Sequence, residues 1–307
     1  MDFETGVKLK NLGSFKIGGE VRFFKRATTL EDLINTVEDV KKRRLPFFIL
    51  GGGTNILFSD AGFDGLVLKP DFTNLRATGN KIVAGAGVNM ADLVNYSIEN
   101  NLSGLEWAGG LPGTFGGALR GNAGAFGGEL KDTVECVISF NTQKMKLIER
   151  RRRECDFGYR MSIFKRDGDE IIVEAILALT SGKGSEIKAK VESKISYRKQ
   201  KHPLDHFNVG SIFKNVVLAD YPHLEHPDFK APIKQDPFPV VPTAYLLSEA
   251  KLRGVSCGGA MISPKHPNFI VNVLDATASD VKNLIELAKS EVKEKFGVKL
   301  EEEILVF

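Results

Sequence analysis

The sequence has no apolar run long enough to cross a bilayer, and its start, MDFETGVKLK, lacks the basic-then-apolar signature of a secretion signal. Its three cysteines, Cys136, Cys155 and Cys257, are odd in number and widely spaced. That excludes a disulfide framework and a CxxC metal site, and points to a reducing, cytoplasmic setting. An excess of charge is missing too, since 42 Lys and Arg against 39 Asp and Glu leave a net charge of +3. So slight a balance does not imply nucleic acid. No GxxxxGK[ST] occurs, so P-loop chemistry has no support. His202 and His206 have helical ligand spacing, but Pro203 stands between them and no third ligand follows, so no metal is expected.

Glycine, by contrast, is plentiful, at 31 of 307 residues, in a chain that is 42% hydrophobic and 26% charged and long enough for two or three domains with real cores. From Gly104 to Glu129 ten of 26 residues are glycine, with no lysine and only Arg120 as arginine. Leu111, Phe115, Leu119 and Phe126 return between the glycines, so the stretch packs instead of swinging as a linker. Two readings stand. One is a set of tight turns between strands. The other is a backbone open to a ligand, whose successive N–H groups form an anion-binding concavity and to which Thr114 and Asn122 add polar side chains. A second loop, Gly51-Gly52-Gly53-Thr54-Asn55, follows the strand expected at Phe47 to Leu50. It leads into Ile56, Leu57 and Phe58 without opening a helix, which excludes a Rossmann fingerprint, and Gly85-Ala86-Gly87 lacks the third glycine.

The remaining elements read as mixed α+β. Thr29 caps a helix with Leu30, Leu33, Ile34, Val37 and Val40 at spacings of three and four, and Ala91 to Asn100 forms another. Strands are expected at Thr133 to Phe140, Lys144 to Glu149 and Glu170 to Leu179, the last with alternation at Ile172, Glu174 and Ile176. Ser185 starts an amphipathic helix, and Arg198 to Asp205 marks the boundary to a last domain. There, Pro242 to Lys251 is a helix closed by Gly254, and Ser279 caps a long helix ending at Gly297. The basic run Lys41 to Arg44 closes the first helix as a solvated face. The run Arg150 to Arg153 reads either as surface charge or as an attraction for an anion.

Three stretches could carry chemistry. Arg160 lies among aromatics from Phe157 to Phe164, where a shielded guanidinium can grip a carboxylate or make a structural ion pair. Cys155, just before it, reads as a packed small side chain. Ser211, in Val209-Gly210-Ser211-Ile212-Phe213-Lys214-Asn215, is a loop serine of a kind that more often turns or caps the chain than donates a proton. The tail, Glu301-Glu302-Glu303-Ile304-Leu305-Val306-Phe307, either frays in solvent or packs. If extended, it puts Glu301 and Glu303 on one face and Glu302 on the other.

The stretch GLEWAGGLPGTFGGALRGNAGAFGGE closely resembles the flavin-binding signature of the UDP-N-acetylenolpyruvoylglucosamine reductases, and similar motifs run from Asn11 to Ile304. The resemblance implies an α+β chain. Residues 1–72 and 73–200 would form a two-part FAD-binding domain of the vanillyl-alcohol-oxidase type, and 201–303 a smaller α+β substrate-binding domain. It implies non-covalent FAD, NADPH as co-substrate, and conversion of UDP-N-acetylglucosamine enolpyruvate to UDP-N-acetylmuramate, a peptidoglycan precursor. Hydride would pass from flavin N5 to the enolpyruvyl CH2. The flavin-holding positions fall on Gly51, Gly53, Thr54, Asn55, Gly113, Thr114, Gly116, Gly117, Asn122 and Gly124. Arg160 falls on the active-site arginine, Ser211 on the serine that protonates the adjacent carbon, and Glu303 on the last, catalytic glutamate. Asn215 and His266 fall on substrate contacts. Val209, Val216 and Glu302 depart from the usual pattern. Ser211 follows Arg160 by 51 positions, which leaves no room for the tyrosine-bearing loop of long members and marks the short subclass. No nucleic acid, membrane or obligate protein partner is expected. The rival readings are a flavin oxidase or dehydrogenase of the same fold, and a non-redox nucleotide-binding module.

Overall fold

The computed structural model describes residues 3–221, 231–235 and 238–307. The chain divides into two compact units, each discontinuous in sequence. Met1–Val7, Val21–Gly52 and Asp64–Tyr197 form the first, and Lys8–Glu20, Gly53–Phe63 and Arg198–Phe307 form the second.

In the first unit, strand Phe47–Ile49 runs parallel to Phe63–Pro70, pairing Phe47 with Leu66 and Ile49 with Leu68. Parallel neighbours need a crossover of about a dozen residues or more, which residues 50–62 supply without a helix. The helix Leu30–Lys42 precedes the pair; Thr29 caps it by accepting a hydrogen bond from the Asp32 amide, and it buries Leu33, Val37 and Val40. A second sheet is antiparallel throughout, in the order Lys146–Arg151, Val134–Asn141, Glu170–Ala178, Lys81–Gly85, Leu75–Thr78. Its middle strand corrects the expected alternation. Register shifts between Ile138 and Ser139; before the shift Ile172 is buried as expected, together with Ile171, and after it Ala175 and Leu177 are buried while Ile176 is only half-buried. A bulge moves the following side chains to the opposite face, which a strict period of two does not foresee. Helix Met90–Glu99 and the six-residue helix Phe115–Arg120 add Met90, Leu93, Phe115 and Leu119 to the core.

The span 163–201 holds a short helix, Ile163–Arg166, the strand Glu170–Ala178, the pair-forming strand Thr180–Ser181 and the helix Gly184–Lys201. No loop is inserted there, as the short subclass requires. Arg150 explains part of the basic run. Its guanidinium meets Glu170 through two hydrogen bonds, Nε to Oε2 at 2.9 Å and Nη2 to Oε1 at 2.6 Å, while Arg151, Arg152 and Arg153 are exposed.

The second unit is built on a three-stranded antiparallel sheet, Ser256–Cys257, Ala260–Ile262 and Ile270–Asn272, with helices Thr243–Glu249 and Ala278–Phe296. The long helix buries Val281, Leu284, Ile285, Ala288 and Val292. Its cap is Thr277, not Ser279. Thr277 accepts from the Asp280 amide while Asp280 accepts from the Thr277 amide, a reciprocal box that Ser279 has no partner to form. Gly297 ends the helix at φ 69°, as expected. Phe15 and Ile17 enter this core from the N-terminal segment, and Asn272 Nδ2 donates to the Phe15 carbonyl at 3.1 Å.

Candidate active site

The first two residues of one glycine-rich loop, Gly51 and Gly52, meet the other loop in the first unit. Gly52 lies against Gly113 so closely that a Cβ on Gly52 would stand 2.6 Å from the Gly113 Cα and 2.9 Å from the Thr114 nitrogen. Only glycine tolerates such an approach. Gly51 faces the Thr114 hydroxyl, and Gly117 lies against the same oxygen. Thr114 precedes the helix Phe115–Arg120 without capping it, and its Oγ1 is buried with no hydrogen-bond partner among the described residues. An orphan hydroxyl costs free energy unless a ligand meets it. Among the described residues, the backbone N–H groups of Gly51 and Gly52 also donate to no protein acceptor. The cradle therefore fits an anionic, phosphate-bearing cofactor.

Gly116 abuts Ala86, and Gly124 abuts Glu129 in the small hairpin Gly124–Ala125/Gly128–Glu129. Asn122 is fully buried. Its Nδ2 donates to Glu129 Oε2 at 3.0 Å and to the Gly158 carbonyl at 2.9 Å, and its Oδ1 accepts from the Lys131 amide at 3.0 Å. Its side chain is committed to the protein, so only its backbone remains to offer a cofactor. Gly52 was not singled out from the sequence, because the family pattern leaves that position open.

Arg160 sits at the tip of a two-residue turn, half-buried, with Nη2 donating to the Gly124 carbonyl at 2.9 Å and the guanidinium 5.1 Å from the Tyr159 ring centroid. Cys155 is fully buried, and burial pushes its thiol up to about 12, which keeps it a packing residue.

In the second unit the Ser211 loop and the tail form one ribbon. The Lys214 amide donates to the Glu301 carbonyl at 2.9 Å, the Glu303 amide to the Ile212 carbonyl at 2.7 Å, and Phe213 bridges Glu302. The tail is thus paired. Beyond the ribbon, Leu305–Val306 runs parallel to Ile56–Leu57, and Asn55 Nδ2 donates to the Glu303 carbonyl at 3.0 Å. Lys214 Nζ meets Glu301 at 2.9 Å, and Lys289 Nζ meets Glu302 at 2.7 Å. Thr54 and Gly53 lie in the same unit as Asn55.

Asn215 Oδ1 accepts from the Thr243 amide at 3.2 Å, at the start of the helix Thr243–Glu249, which leaves its Nδ2 as the group to offer a ligand. Val209 is buried, and Val216 opens a strand paired with Val240–Val241. The Ser211 loop has a brace that sequence reasoning missed. Asn268, almost fully buried, accepts from the Phe213 amide through Oδ1, donates to the Phe213 carbonyl through Nδ2, and accepts from the Ile212 amide through its own carbonyl. The signal was its place two residues after His266 in the same motif. His266 stacks edge-on with His202 and Phe269, and its Nδ1 is buried with no partner among the described residues. His202 therefore pairs with His266 and not with His206. Among the described residues no group of three His, Cys, Asp or Glu side chains could hold a metal.

Fold and site together define a flavin-binding α+β protein, and residues 21–142 match the model of an FAD binding domain. Residues 202–307 match that of the UDP-N-acetylenolpyruvoylglucosamine reductase C-terminal domain. Two relatives carry that reductase name. The one from Caldanaerobacter subterraneus subsp. tengcongensis is 39% identical over 97% of this chain and 91% of its own length, and the one from Geobacillus thermodenitrificans is 35% identical over 95% and 88%. The crystal structure of the Thermus caldophilus reductase superposes with a TM-score of 0.80 at 28% identity, covering 100% of this chain and 99% of its own. The chain belongs to the UDP-N-acetylenolpyruvoylglucosamine reductase family.

Proposed function

We propose that the protein is a cytoplasmic, NADPH-consuming flavoenzyme that reduces UDP-N-acetylglucosamine enolpyruvate to UDP-N-acetylmuramate for peptidoglycan precursor synthesis. FAD, held non-covalently, supplies the hydride for the enolpyruvyl CH2. Gly51, Gly52, Gly113 and Gly117 admit it by close backbone approach, and Thr114 Oγ1 gives it a hydrogen-bond partner. Gly53, Thr54 and Asn55 continue the first loop, and Gly116, Asn122 and Gly124 shape the second.

Arg160 grips the substrate carboxylate and stabilises the charge that develops beside it. Ser211 Oγ delivers a proton to the carbon next to that carboxylate. The carrying observation is the ribbon between Ile212–Lys214 and Glu301–Glu303, which places Glu303 beside the proposed proton donor's loop. Glu303 is favoured because its amide pairs with the carbonyl of Ile212, the residue next to Ser211, whereas Glu301 and Glu302 pair further along the ribbon with Lys214 and Phe213. Asn215 and His266 contact the nucleotide substrate.

No helix among the described residues is long and apolar enough to cross a membrane. A single assay tests the whole reading, NADPH oxidation with and without the enolpyruvyl nucleotide. Yellow protein with turnover only when the nucleotide is present is the expected outcome. Flavin reduced by NADPH but not re-oxidised by the nucleotide would favour another flavin dehydrogenase. Colourless protein unable to take up FAD would leave a nucleotide-binding module.

A further inference from the structure

The turn that carries Arg160 is held by two buried polar side chains, those of Asn122 and Ser162, and of these Asn122 has only its backbone left to give the cofactor. We propose that Asn122 and Ser162 are positioning residues that fix where the Arg160 guanidinium points, an inference that rests on the role given to Arg160 above. Gly158 and Met161 exchange both backbone hydrogen bonds, at 3.0 and 3.2 Å, which leaves Tyr159 and Arg160 as the two residues of a tight turn. Arg160 has φ 55°, the left-handed region that favours glycine. An arginine is strained there, so the surroundings must impose it.

Asn122 is one restraint. It is fully buried, its Nδ2 donates to the Gly158 carbonyl at 2.9 Å, and its other amide bonds to Glu129 and Lys131 leave it one orientation. Ser162 is the other. Also fully buried, it donates to the Arg120 carbonyl at 2.6 Å from the far side of the turn, and its Oγ accepts from the Lys165 amide at 3.3 Å. Lys165 Nζ in turn donates to the Arg160 carbonyl at 3.0 Å. Arg120 ends the helix Phe115–Arg120 and Asn122 follows it by two residues, so both restraints come from the glycine-rich loop. Gly124, which accepts from Arg160 Nη2, belongs to the same loop. The segment that cradles the flavin thereby aims the arginine that holds the substrate carboxylate. Such coupling matters because a misplacement of about 1 Å can cost about a hundredfold in rate.

The test uses the FAD-loaded protein with Asn122→Ala, Ser162→Ala, Ser162→Thr and Arg160→Ala, read by FAD affinity and by single-turnover re-oxidation with the enolpyruvyl nucleotide. Asn122→Ala and Ser162→Ala should each slow re-oxidation by about 10- to 100-fold while FAD affinity stays within about threefold, and Ser162→Thr should restore most of the rate. In the Arg160→Ala background the same changes should add less than about threefold, since they act through the residue already removed. Losses that multiply in that background, or a loss of FAD affinity with normal re-oxidation, would overturn the proposal. If Asn122→Ala does not fold, the Ser162 pair carries the test alone. Arg160→Ala with unchanged re-oxidation would instead sink the role of Arg160. A slow Arg160→Ala beside normal Asn122 and Ser162 variants would sink only the positioning.

Discussion

A proton donor to carbon is idle while NADPH reduces the flavin, so Ser211→Ala should leave that half-reaction near its normal rate. Re-oxidation by the enolpyruvyl nucleotide should slow by about 10²-fold or more, the lower end for losing a positioned general acid. Rapid mixing of the two half-reactions separates the outcomes, and equal losses in both would make Ser211 a structural residue of its turn. The tail allows a paired prediction. Glu303→Gln should cost activity without preventing FAD binding, whereas Glu301→Gln, which removes only a partner of Lys214, should change turnover by less than about threefold, as exposed ion pairs contribute little. The reverse ranking, measured by steady-state kinetics, would refute the assignment of the tail. Ser211, Arg160 and Glu303 could be singled out from the sequence because each stands in a contiguous motif. The restraints on them could not. Asn122 is committed to Gly158 and Asn268 to Phe213, and each bond spans dozens of residues that no local pattern relates.

At the scale of the element, the helix Ala278–Phe296 shows how a cap is chosen. Two hydroxyls, Thr277 and Ser279, stand near its start, and the apolar spacing from Val281 onward suits either. What decides is Asp280, three residues after Thr277, which returns the bond, while Asp60 accepts from the Ala278 and Ser279 amides at 2.8 and 3.2 Å. Thr277→Ala should therefore lower stability by about 1 kcal/mol. Ser279→Ala should stay within about 0.5 kcal/mol, and urea unfolding of the two variants checks the order. The strand Glu170–Ala178 failed at the same scale for a different reason. Its composition announces a strand, but the irregularity opposite Ile138 and Ser139 belongs to the pairing, so the buried face passes to Ala175 and Leu177.

The two units are interleaved in sequence, with Lys8–Glu20 and Gly53–Phe63 joining the C-terminal segment, and Phe15, Ile17 and Leu57 of these short segments pack into its core. The last segment of the second unit begins at Arg198, in the charged last turn of the helix Gly184–Lys201.

Folding of the whole chain should carry the titration of one buried pair. His202 and His266 stand 5.5 Å apart, each stacked on Phe269. Burial is the largest of the causes that bring each imidazole from 6.5 down to about 4. The other histidine, Arg198, Lys265 and Lys234 add to this for His202, and Lys234 and Arg253 for His266 against an opposing backbone hydrogen bond. Because the folded value lies below the unfolded one, the unfolded chain binds more protons between pH 6.5 and 4. The stability contribution is therefore fully present above pH 6.5 and is lost as pH falls through that window. Each imidazole can add at most about 1.4 kcal/mol per pH unit to the slope. Urea midpoints should be flat from about pH 8 to 7 and fall from about 6.5 to 5, above most carboxylate titrations, and His202→Phe should flatten that fall by about half. An unchanged slope in His202→Phe would remove the pair as its source. The same neutrality bears on the site. At pH 7 His266 carries no charge, so it can offer a nucleotide only a neutral ring and the unpartnered Nδ1, and any charge that meets the substrate's phosphates must come from lysine or arginine.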